Sequence, residues 1–185
     1  MPKKLATKFK RLTLLFVAIC GGIIVILLLV ITAEASGPIH AAIWHMRHGN
    51  TVSFDGHRFH LPLLWYPDPD SHPGQFGIQR AQFGSMAFSH ITLATEPRQL
   101  DDHAAINDIA VMTAHLNKHE LDPSSRWTTE ALQGRSLAFH CTMQTSNGAE
   151  ETLICQAAGS NLRVLAITMG RSAHTQALDV IETCE

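Results

Sequence analysis

From Leu12 to Ala33 the chain carries no charged residue and few polar ones, and Lys3, Lys4, Lys8, Lys10 and Arg11 stand just before it. As a helix rising about 1.5 Å per residue, that run reaches about 33 Å, enough for a hydrocarbon core of about 30 Å. The pattern predicts a signal anchor over 12–33, with residues 1–11 as a basic cytoplasmic tail and all that follows on the far side of one membrane span. Two other readings use the same text. Cleavage of a signal peptide after Ala33-Glu34-Ala35 would release a secreted domain, although such peptides usually have a shorter apolar core of about 7–15 residues. Val17-Ala18-Ile19-Cys20 loosely matches a lipidation box, but Ile19 stands where a small residue is wanted, so Cys20 reads as a thiol among apolar neighbours.

Residues 34–50 read as a juxtamembrane linker, because Gly37-Pro38 opposes continuation of a helix. The pattern then changes to a period of two. Val52 and Phe54 alternate with polar neighbours, Asp55-Gly56 supplies a tight turn, and His57, Phe59 and Leu61 resume the alternation until Pro62. That is a β-hairpin signature. Residues 63–84 contain Pro67, Pro69, Pro73, Gly74 and Gly77 and read as a long loop carrying Trp65, Tyr66, Phe76 and Phe83.

A strand is expected over Met86–Thr95 with a turn at Glu96-Pro97. A helix follows, opened by Asp101 or Asp102, with Ile106, Ile109, Thr113 and Leu116 on its apolar face and a break at Asp122-Pro123. After Trp127, turn signals at Gln133-Gly134, Asn147-Gly148 and Gly159-Ser160 separate antiparallel strands. Ser172 is placed to cap a last helix with the face Ala177, Leu178, Ile181 and Cys184. The expected fold class is α+β: an N-terminal transmembrane helix, then one antiparallel-sheet domain over 51–185 with two packed helices.

Charge becomes informative once the chain is divided at the apolar run. Five of the 14 Lys and Arg precede it and all 16 Asp and Glu follow it, so the outer part holds nine bases and a formal charge of −7 with neutral histidines. Nucleic-acid backbones require clustered Lys and Arg, so no nucleic-acid partner is expected. All 12 histidines lie outside as well, and imidazole is the side chain whose ordinary value lies nearest neutrality, which makes a pH-responsive or metal-binding role an alternative.

Three cysteines, Cys141, Cys155 and Cys184, lie in the part placed in an oxidising compartment. In one register, closing through Asn147-Gly148-Ala149, Cys141 stands opposite Cys155 and Met143 opposite Leu153, all on one face. Opposed Cα atoms then lie about 4.5–5.5 Å apart, within disulfide range. Free thiols in the core, or a bridge using Cys184, are the competing outcomes.

His115 and His119 are four apart on the expected helix, a spacing able to hold a metal, with Asp108 seven residues before His115. That stripe is opposite Ile106 and Ile109, so a solvated polar face is the plainer reading, and no cofactor is expected. His45/His48 and His57/His60 are weaker pairs. Catalytic signatures are absent from the text: no Gly-x-Ser-x-Gly elbow, no His-Glu-x-x-His, and Gly84-Ser85-Met86 lacks the second glycine. His140 and Cys141 are adjacent, so on a strand their side chains diverge.

The early hairpin closing on LPLLWYP, the mid-chain helix, the LQGRSLAF turn entering a meander and the terminal helix together resemble the PsbP-like fold over about residues 51–184. That small α+β sandwich occurs in photosystem accessory proteins and many bacterial envelope proteins. The resemblance implies a binding or assembly role more than an enzymatic one. The expected function is accordingly a binding or accessory domain for an envelope complex, held at the inner membrane and facing the periplasm or exterior, with possible envelope protein partners. Its expected ligand or partner loop is the segment of Trp65, Tyr66 and Phe76; a lid over the core is the competing use of those aromatics.

Overall fold

The computed structural model describes residues 20–26, 36–69, 72, 74–82, 89–120, 125–145 and 150–185. Within them a seven-stranded antiparallel sheet forms the frame. Residues 36–48 form helix α1, followed by the hairpin β1 (Thr51–Phe54) and β2 (His57–His60). The sheet is built from β3 (Trp65–Pro67), β4 (Gln75–Arg80), β5 (His90–Leu100), β6 (Arg126–Gln133), β7 (Ala138–Thr145), β8 (Glu150–Ala157) and β9 (Ser160–Met169). Helix α2 (Asp102–His119) intervenes between β5 and β6, and α3 (Arg171–Glu182) closes the chain. Strand order is β3-β4-β5-β9-β8-β7-β6, so β3 and β6 are the edges.

The two faces of this sheet separate by side-chain period. Along β9, Leu162, Val164 and Ala166 are buried in one apolar cluster with Ala177, Val180 and Ile181 of α3 and Phe59 of the hairpin. Arg163, between them, points the other way and bonds Asp108 of α2. Thus α3 and the hairpin cover one face, and α2 covers the other. The hairpin is closed by Asp55 and Gly56, both at positive φ (49° and 83°), as the primed two-residue turn requires.

Several expectations are corrected. No helix among the described residues is long and apolar enough to cross a membrane, which overturns the transmembrane helix in the expected fold class. Of the run 12–33, only residues 20–26 are described, and they are helical. The rest of that run, with the basic tail, lies outside the described residues. Residues 36–48, expected as linker, are helical through Gly37-Pro38, because burial outweighs local propensity: Ala41 is fully buried and Trp44 packs on the core. Three helices rather than two therefore flank the sheet and hairpin.

The long loop expected over 63–84 contains β3 and β4, paired Trp65↔Arg80 through Pro67↔Ile78. Pro67 is tolerated because β3 is an edge. Likewise β5 runs through Glu96-Pro97 to Leu100 instead of turning, with a register shift between Thr95 and Leu100 that accommodates the missing N–H. Helix α3 begins one residue before Ser172, at a Gly170 with no side-chain cap, so Ser172 lies inside the first turn. The Asn147-Gly148 turn and Met86 lie outside the described residues.

Candidate functional site

Helix α2 is held to the sheet by polar contacts at its start, middle and end. Asp101 caps the first turn, accepting from the Ala104 N–H at 2.8 Å, and Asp102 meets His140 of β7 at 2.7 Å. At mid-helix, Arg163 reaches Asp108 at 2.6 Å and Glu96 at 3.0 Å, and its Nε donates to the fully buried Gln156 at 3.2 Å. A guanidinium with its donors shared among two carboxylates and an amide is a rigid anchor. Near the last turn, Glu120 accepts from Gln144 at 2.7 Å and from the Trp127 indole at 3.2 Å.

Between these anchors, side chains on α2 stand off from β6 and β7. A cavity of about 290 Å³ opens there, lined by Ile106, Ile109 and Ala110 from α2, Thr129, Glu130 and Ala131 from β6, and His140 and Cys141 from β7. Ile106 is 46 % exposed while lining it, so the apolar wall is open to solvent.

The cavity borders an open sheet edge. Gly134 N–H donates to Leu137 O at the turn, which makes alternate residues Leu132, Glu130 and Thr128 the ones hydrogen-bonded to β7. Trp127, Thr129, Ala131 and Gln133 therefore aim their backbone N–H and C=O groups away from the sheet. The pattern is visible at Trp127, whose N–H donates to Asn117 Oδ1 at 3.0 Å and whose C=O accepts from Asn117 Nδ2 at 2.9 Å. One carboxamide on α2 thus occupies the edge there as a neighbouring strand would. At Thr129 and Ala131, both exposed, no such partner is present among the described residues.

The residues singled out from sequence fall elsewhere. Cys141 and Cys155 form a disulfide, opposed in the β7–β8 register with Cα atoms 4.0 Å apart. Because Cys141 bonds Glu130 on β6, its pair with Cys155 is the non-hydrogen-bonded, closer kind. Cys184 stays free and buried; burial, then the Glu185 charge, pushes its thiol up to about 12. Trp65 is fully buried and donates its indole N–H to Gln176 of α3 at 3.0 Å. Tyr66 is half-buried, its hydroxyl pushed above the ordinary value by burial and then by Asp68, and Phe76 packs against Phe54 with ring centres 6.1 Å apart. These aromatics belong to strands and do not converge on one surface.

His115 and His119 lie on the exposed side of α2 with ring centres 4.6 Å apart, while Asp108, expected beside them, is engaged by Arg163. No group of three or more metal-ligating side chains occurs among the described residues. His57 Nε2 lies 3.2 Å from Ser160 Oγ, but that hydroxyl is buried and already accepts from the Leu162 N–H, so the contact ties the hairpin to β9 and offers no exposed nucleophile. Sequence reasoning placed a strand between Trp127 and Gln133 but missed its position at the sheet edge and the contact of Asn117 with it. No local signal marks that edge, because it follows from strand order across the whole sheet.

Neither the family models nor the curated proteins compared with this chain give a match.

Proposed function

We propose that this chain is an extracytoplasmic binding domain that docks an extended segment of a partner protein along the β6 edge. The observation carrying it is the juxtaposition of outward backbone groups at Thr129 and Ala131 with the open apolar wall of Ile106 and Ala110 over the buried Ile109. An added strand gains main-chain hydrogen bonds from the edge, and its alternate side chains find the groove beneath α2. The Cys141–Cys155 disulfide supports an oxidising compartment outside the cytoplasm, and the acidic surface supports a protein rather than a nucleic-acid partner. A likeness to the PsbP-like fold, supported by the order hairpin, helix, meander, helix, agrees with an accessory role.

Selection of a random extended-peptide library on the full chain tests this. Selected peptides are expected to shift the Thr129 and Ala131 amide resonances and to lose binding on Ala131→Pro, which removes one outward donor yet breaks no ladder bond. Peptides that bind unchanged to Ala131→Pro, or that perturb only distant residues, would sink the proposal.

A further inference from the structure

Resting on that docking reading, we infer that the docked segment carries a basic residue between two apolar ones. The basic side chain meets Glu130, and the flanking pair meets α2. In an antiparallel pair, directly opposed residues place their side chains on the same face. Partner positions hydrogen-bonded to Thr129 and Ala131 therefore project toward α2, where Ile106 and Ala110 line the groove. The intervening partner residue stands opposite Glu130, on the other face.

Glu130 is exposed and has no ion pair among the described residues. Its row across the sheet runs Cys141, Cys155 and Val164, so no neighbouring strand supplies a cation. Arg126, on the same face of β6, is four residues away, a separation of about 13 Å at about 3.3 Å per residue. That carboxylate, hydrated in the free chain, is open to a cation carried by an incoming strand. A second copy of this chain is disfavoured as the occupant: antiparallel self-pairing about Glu130 sets two carboxylates against each other.

The test titrates the full chain with Ser-Thr-Val-Lys-Val-Thr-Ser and with Ser-Thr-Val-Glu-Val-Thr-Ser, up to about 1 mM, following the Thr129 and Ala131 amides by NMR. The lysine peptide is expected to bind about two- to tenfold more tightly than the glutamate peptide, and Glu130→Lys to reverse that order. Equal affinity of the two peptides, with binding still lost on Ala131→Pro, overturns the charge inference and leaves the docking reading standing. No shift at either amide with any peptide, or association of the chain with itself through β6 in sedimentation, overturns both.

Discussion

The two edges of the sheet are finished in opposite ways. At one end, β3 is three residues long, contains Pro67, and buries Trp65 completely. The outward groups of Trp65 are taken: its N–H donates to Pro62 O at 2.8 Å, and its C=O meets His45 Nε2 of α1 at 2.9 Å. At the other end, β6 runs eight residues without proline, mostly exposed, and Asn117 covers it at Trp127 alone among the described residues. Exposed edges invite pairing with other chains, and proteins commonly shorten, cover or charge them. Here one edge is sealed into the core and the other is left open beside an apolar wall. Such asymmetry is what a strand-docking domain needs.

The largest difference between the edges is expected in stability. Trp65→Ala should cost about 3–5 kcal/mol in urea unfolding, as removal of a buried indole does, whereas Thr129→Ala should stay within about 0.5 kcal/mol. Similar costs at both positions would erase the distinction. Next comes the bridge that stiffens the sheet behind β6. Cys141→Ser with Cys155→Ser removes a cross-link spanning 14 residues and should cost about 3 kcal/mol. A cost near zero would mean that β7 and β8 need no help to hold the edge. Asn117→Ala is expected to lose about 1 kcal/mol and to speed exchange of the Trp127 amide. Unchanged exchange would show that the carboxamide does not cover the strand.

The smallest effect belongs to an exposed pair at the turn that follows β6. A hydrogen bond from Arg135 holds the Glu185 carboxyl below its ordinary value of 4.5. A lowered folded-state pKa stabilises above the unfolded value and is lost as pH falls through the folded one, so Arg135→Ala should lower stability at neutrality more than in acid well below pH 4.5. Equal shifts at neutral and acid pH would contradict that assignment.

Local chemistry made part of this fold readable. Asp55-Gly56 announced the hairpin, Asp101 or Asp102 announced the start of α2, and alternation around Cys141 and Cys155 offered the register and bridge that form, beside free thiols or a bridge to Cys184. Trp65 and Phe76 read as loop residues because their strand partners, Arg80 and Leu93, lie far along the chain, where pairing is decided by tertiary contact. Helical spacing read α2 in part: Ile109 is buried and Thr113 and Leu116 are partly buried as expected, whereas Ile106 is half-exposed and Ala105, one turn before Ile109, is buried in its stead. The docking edge was illegible for a different reason. Whether a strand ends a sheet depends on strand order, which periodicity does not encode.

Amide exchange in the free full chain tests the open edge most directly. Thr129 and Ala131 are predicted to exchange rapidly while their neighbours Glu130 and Leu132, bonded to β7, are protected, and a docked peptide should slow the first pair. Protection of Thr129 and Ala131 in the free monomer, equal to that of Glu130 and Leu132, would contradict the account.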